Sequence, residues 1–345
     1  DLSEQPDLDV AGGVTSLPRG GALATLLLAG IGLELVRRRR QFQRYRRPGE
    51  RLAVPSAHVG QVESAARSAL HDPSPELLER ALSLLTEVAE TAGRPVPDVR
   101  LVRVGAGAVT LDLAARYDPP LAPFRSDDGL RWELDADLIP ASLPVRAPAL
   151  AGLVTLGVSQ SEVVLINLES VGTLQVSGPD EALGDVLRAL AAELAFGPAS
   201  TLTERTLCIS DTAIAESVEA GAIGVLSDPD RVSALLAGAM LTPSSGVPGG
   251  GVSQGPDAQD PLQIVLCDQA LNVAVDAHSG CGLITTAAVR GRPGAFLVVD
   301  GSGSATLLPE RQVLTPQNLS RSATDDVVEA FRGADLRDPS DEPDS

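Results

Sequence analysis

Apolar positions dominate residues 20–36 (GGALATLLLAGIGLELV), broken only by Thr25 and by Glu34 three residues from the end, and give way at residue 37 to RRRRQFQRYRRPGER. A run with no polar face predicts a membrane-spanning helix, and arginines behind it predict a stop-transfer orientation with the C-terminal side in the cytoplasm. At about 1.5 Å per residue the run reaches roughly 26 Å, against a hydrocarbon core of roughly 30 Å. Snorkelling of Arg37 and Arg38 extends it. Arg39, Arg40, Arg44, Arg46 and Arg47 complete a basic juxtamembrane segment, residues 37–51, suited to anionic lipid headgroups. Residues 1–19 are polar and turn-rich and read as a flexible extracytoplasmic segment. With no initiator Met ahead of the span, the expectation is a piece of a longer protein.

Beyond residue 51 the periodicity becomes helical. AHVGQVESAARSALH, opened by Pro55 and Ser56, predicts a first helix. The second carries Leu77, Leu78, Ala81, Leu84, Leu85 and Val88 on one face and Glu79, Arg80, Glu87 and Glu90 on the other. Ser74 is its expected N-cap, Pro75 its first helical residue and Gly93 its stop. Short strands follow at 99–104 and 108–113, joined at Gly105–Gly107, and a Pro-rich loop leads to Trp132. These features define a small α+β unit over 52–145 with Trp132 as its anchor.

From residue 151 the apolar runs lose their alternation. LAGLVTLGV and SEVVLINLES read as a hairpin, and TLQVSG is followed by the helix PDEALGDVLRALAAELAF. RTLCIS, PLQIVLCD, CGLITTAAV, AFLVVD and SATLLP read as further strands. Strands covered on both faces and separated by helices predict a three-layer α/β domain over 151–320. Residues 244–261 (SSGVPGGGVSQGPDAQDP) have the composition of a flexible loop, and 321–345 that of an acidic disordered tail.

The net charge of −19 includes eight positive charges and one negative within residues 37–51, so the remainder is strongly acidic and unsuited to a nucleic-acid backbone. Cys208 and Cys267 sit in apolar runs, and Cys281 follows His278. With three cysteines, three histidines and no C-x-x-C or H-E-x-x-H pairing, no zinc site is expected. Reduced, non-catalytic thiols fit that pattern.

The unit TLQVSG-PDEALGD has the strand–turn–helix context of a phosphate-binding loop, whose glycines curl backbone N–H groups round the phosphates while a Lys and a Ser or Thr reach phosphate and magnesium. The loop read here over 178–185 begins at Gly178, lacks the Lys, places Asp180 and Glu181 at the helix start, and has Gly184 and Asp185 near the magnesium-binding position. Asp268 stands where a metal-coordinating acid would sit, but Gln269 follows it instead of Glu. The fold expected is thus P-loop-like, lacking the phosphate-binding loop. Asp268 and Asp276 are candidates to line the crevice at the carboxyl ends of the strands. Ser177 lacks the G-x-S-x-G setting of a nucleophile elbow, and His58, His71 and His278 form no spacing-supported triad.

The chain resembles a group of actinobacterial membrane proteins that join transmembrane helices, often a LysM module, a cytosolic α/β region and a C-terminal bacterial transcriptional activator domain (BTAD). The resemblance lies in RRRRQFQRYRRPGER, the helical pair ending TAGRPVP, LVTLG at 153–157, INLESVGTLQVSG and LLPERQVLTPQNL, and covers about residues 20–320. The middle part is similar to degenerate ATPase modules of the FtsK and type VII secretion class. Together these imply a non-enzymatic, membrane-anchored scaffold or sensor without a cofactor, working with other domains of its parent protein. The competing expectation is a membrane-anchored ATPase motor with an atypical site.

Overall fold

The computed structural model describes residues 73–140, 143, 150–196, 203–210, 223–241, 262–271, 273, 275–289 and 291–335. Helix α1 (Pro73–Ala92) buries Ala81, Leu82, Leu84, Leu85 and Ala89 and leaves Glu76, Glu79 and Glu90 outside. It stops at Gly93, whose φ of +61° favours glycine, with Arg94 N–H donating to Ala89 O at 3.0 Å. Strands β1 (Val99–Val104) and β2 (Ala108–Leu113) form a hairpin, and β3 (Arg131–Asp135) pairs with β2. Trp132 is fully buried there, its ring 5.4 Å from Tyr117 edge-on and 5.7 Å from Phe124.

The next hairpin, β4 (Leu153–Ser159) and β5 (Glu162–Asn167), turns at Gln160 and Ser161, both at positive φ. A single turn of helix, α2 (Leu168–Val171), leads into β6 (Thr173–Ser177) and α3 (Asp180–Phe196). The chain continues through β7 (Thr203–Cys208), β8 (Ile223–Val225), α4 (Pro229–Leu241), β9 (Leu262–Cys267), β10 (Cys281–Thr285) and β11 (Ala295–Val299). It closes with β12 (Ala305–Leu308), β13 (Gln312–Pro316) and α5 (Arg321–Asp335).

The thirteen strands of the described residues form one sheet in the order β3-β2-β1-β5-β4-β13-β12-β11-β6-β10-β9-β7-β8. The block from β11 to β8 is parallel and the rest antiparallel. Strand β13 is the joint, pairing with β12 on one side and, through Thr315 and Pro316, with β4 on the other. Helices α3 and α5 share a core with one sheet face, including Leu101, Leu156, Leu174, Leu297 and Leu307. On the opposite face α1 covers β1 and β2, and α4 covers β9 and β10.

This architecture corrects the expected fold. No helix among the described residues is long and apolar enough to cross a membrane. Helices α1, α3, α4 and α5 each bury apolar residues against the sheet. The span expected at 20–36, the arginines at 37–51, residues 1–19, the helix at 57–71, the loop 244–261 and residues 336–345 all lie outside the described residues. A membrane-spanning fold and a cell-membrane location are therefore set aside. One large mixed sheet runs through both stretches that the sequence divides into a small α+β unit and a three-layer domain. The start of the expected tail is also corrected: α5 buries Ala323, Thr324, Val327 and Val328 between its acidic residues.

Candidate functional site

Strand β6 lies inside the parallel block, between β10 and β11, and its register brings Ser177 beside Val298, while Thr285 and Cys267 pair farther across. The carboxyl ends of β6, β10, β9 and β7 thus share one edge, where open α/β sheets place ligands.

At that edge the connection from β6 to α3 is only Gly178–Pro179. A phosphate cradle needs several consecutive backbone N–H groups curled round an anion, and Pro179 has none. Gly178 is glycine because β11 closes on it: a Cβ there would lie 2.6 Å from Val299 O. The eight residues read as a loop over 178–185 are therefore two residues of turn and six of helix. Gly184 and Asp185 belong to the helix, with Leu183 N–H already donating to Pro179 O at 2.8 Å.

Asp180 and Glu181 are exposed in the first turn, where their charge favours the helix dipole. Asp185 pairs with Arg188 one turn on. The Arg188 Nε–H donates to Leu319 O at 3.0 Å, and Leu319 N–H donates to Asp185 O at 2.9 Å. The position expected near magnesium is thus a pin that fastens α3 to the chain entering α5.

Asp268 follows β9 directly. Its Oδ2 accepts from Ser210 N–H at 2.7 Å, and its carbonyl accepts from Thr286 Oγ1–H at 3.2 Å. Oδ1 is buried with no partner among the described residues. Asp276, the other crevice candidate, is not beside it. Its backbone packs on Gly172 at the amino end of β6, next to Val275, whose carbonyl accepts from Thr173 Oγ1–H at 2.9 Å. The two acids lie at opposite ends of the strands because Asp276 precedes its strand whereas Asp268 follows one.

Also at the amino ends, His278 Nε2 lies 2.9 Å from Asp98 Oδ2, and His278 N–H donates to Glu169 O at 2.8 Å. Burial holds the Glu169 carboxyl above the ordinary range, against the lowering field of His278. Cys208 and Cys267 are register partners and fully buried. Burial pushes the Cys208 thiol up to about 12 and raises Cys267 and Cys281 as well, so all three stay protonated and free. No group of three or more His, Cys, Asp or Glu among the described residues is placed to hold a metal ion.

Sequence reading overlooks a polar network of the described residues centred on Glu193. Glu193, on α3, accepts from Thr155 N–H at 3.0 Å, Thr155 Oγ1–H at 2.7 Å and Gln317 Nε2–H at 2.8 Å. Gln317 also donates to Thr155 O at 2.7 Å. Burial raises the Glu193 carboxyl, opposed by these hydrogen bonds and the field of Arg205. The available signal was a lone acid in the apolar run ALAAELAF. The network ties α3, β4 and the chain after β13 together.

No protein-family model and no curated protein matches the chain. Among solved structures, it is similar to the cytoplasmic domain of the type VII secretion ATPase EccC of Thermomonospora curvata, with 14% identity and a TM-score of 0.33. That match covers 52% of this chain and 28% of that one, so the chain spans under a third of EccC's length there. It is also similar to the pCW3 conjugation coupling protein TcpA, with 12% identity, a TM-score of 0.31 and coverage of 67% of this chain and 92% of that one. EssC (ATPases 2 and 3) of Geobacillus thermodenitrificans gives 14% identity, a TM-score of 0.31 and coverage of 57% and 51%. EccC and EssC are ATPases, TcpA is a conjugation coupling protein solved with ATPγS, and the likeness to all three is weak. None of the comparisons shows a LysM or activator-domain architecture.

Proposed function

We propose that this chain is a non-hydrolysing α/β scaffold in which the place of a nucleotide site is taken by structural contacts, and that it joins or presents other domains of a longer protein. The observation that carries the reading is the Gly178–Pro179 turn, sealed by Val299 and followed at once by helix. The chain contains no lysine at any position; all 27 of its basic residues are arginine. A phosphate-loop lysine therefore has no donor anywhere in it. Among the described residues, Asp268 favours the competing motor reading, its buried Oδ1 having no partner there at the carboxyl end of β9.

Calorimetric titration of the 345-residue chain with magnesium-ATP tests the proposal. No saturable heat is expected at micromolar nucleotide, and phosphate release should match the buffer blank. Saturable micromolar binding that is lost in D268N would establish the motor reading instead.

A further inference from the structure

Strands β7 and β9 run parallel in register, and each ends in a cysteine: Cys208 pairs with Cys267. Register partners point to the same sheet face, on strands about 4.8 Å apart. A disulfide spans Cα separations of about 4.4–6.8 Å. Each thiol lies within hydrogen-bonding reach of the other, and both are fully buried in the small core beneath α4. Cys281 shares that core but not that row. It stands four residues before Thr285, the β10 partner of Cys267. That is roughly 13 Å along the strand, beyond the limit of about 7 Å for a disulfide.

We propose that Cys208 and Cys267 form an oxidative modification site, a dithiol that peroxide closes to a disulfide, locking the β7–β8 edge of the sheet to β9.

The reduced pair is insulated, because burial keeps both sulfurs protonated and the thiolate is the species that attacks. Access comes from the edge. Strand β8 ends the sheet, is three residues long and leaves Gly224 and Val225 exposed. Elements with so little burial open without global unfolding. During an opening, one thiol ionises and attacks an oxygen of hydrogen peroxide. It becomes a sulfenic acid, and the departing hydroxide takes up the released proton as water. On reclosing, the register sets the other thiol against it. That sulfur displaces the sulfenic oxygen as water, S–S replacing S–O. Two thiols and one peroxide thus give one disulfide and two waters. The new bond closes a loop containing β8 and α4. It ties the opening of the edge to that of β9, which is held between β7 and β10.

Millimolar hydrogen peroxide added to the full 345-residue chain tests this. Titratable thiols should fall from three to one per chain, and peptide mapping should find Cys208 joined to Cys267 with Cys281 still reduced. Bridge formation should accelerate at least tenfold in urea below the unfolding midpoint. Amide exchange in β7 and β8 should slow at least tenfold after oxidation and recover with dithiothreitol. A bridge through Cys281 or between chains, independent oxidation of the three thiols, or three thiols left intact would each overturn the assignment. So would a rate indifferent to urea, or amide exchange unchanged by the bridge.

Discussion

The E193A variant should lose about 3–5 kcal/mol of folding stability, because each buried donor left without an acceptor costs about 1–3 kcal/mol. The substitution orphans Thr155 N–H and Oγ1–H and frees Gln317 of one of its two acceptors. E193Q keeps the shape and an acceptor oxygen, and Gln317 Oε1, which has no partner, is available to the new amide after a flip. Its loss should be about 1–2 kcal/mol.

The two variants also separate charge from shape through pH. Because burial raises the folded-state pKa of Glu193, the native protein holds this proton to higher pH than the unfolded chain does. Above the unfolded glutamate value, about 4.3, the native state binds more protons, and stability falls as pH rises until the folded pKa is passed. Glu169 contributes with the same sign. Urea midpoints between pH 4 and 8 should therefore slope less steeply in E193Q than in the parent. Parallel curves would show that the carboxyl is not proton-linked to folding.

Gly172→Ala should cost at least about 3 kcal/mol, combining about 1–3 kcal/mol of backbone strain with overpacking of similar size. Gly172 ends α2 with φ +67° and ψ −69°. A Cβ there would lie 2.5 Å from Asp276 C, 2.6 Å from Val275 O and 2.7 Å from Ala277 N, all backbone atoms that cannot rotate away. Gly93→Ala, also at positive φ but with nothing within 4 Å, is the control and should lose about 1 kcal/mol. Equal losses in a urea titration of the two variants would show that the 275–277 backbone yields.

Local pattern was the legible part of this fold. The strands at 99–104 and 108–113 appear with the predicted bounds because hydrophobic runs and a glycine turn decide such hairpins within a few residues. Trp132 anchors its core as expected, since an aromatic of that size finds burial wherever a small sheet can supply it. The helix after β6 was legible too, but not where it begins. Asp180 and Glu181 are good first-turn residues as well as plausible loop acids, and only the approach of Val299 shows that the loop is absent. Glu193 escaped notice because its partners lie 38 and 124 residues away. Periodicity carries no information about which distant donors will meet an acid. The same limit hid the pairing of β1 with β5, Leu101 beside Ile166, which makes one sheet of the two apparent units.

The position of β13 has a consequence during synthesis. Its residues, 312–316, are made about 150 positions after β4, which they pair. At ribosomal rates of about 5–20 residues per second, that interval lasts on the order of ten seconds. Until it ends, the β4 margin of the first five strands is an open edge, with backbone groups ready to pair with any passing strand. A nascent chain stalled before residue 312 would hold two unjoined sheets, and slower translation between β4 and β13 would lengthen the period in which a chaperone has to shield that edge.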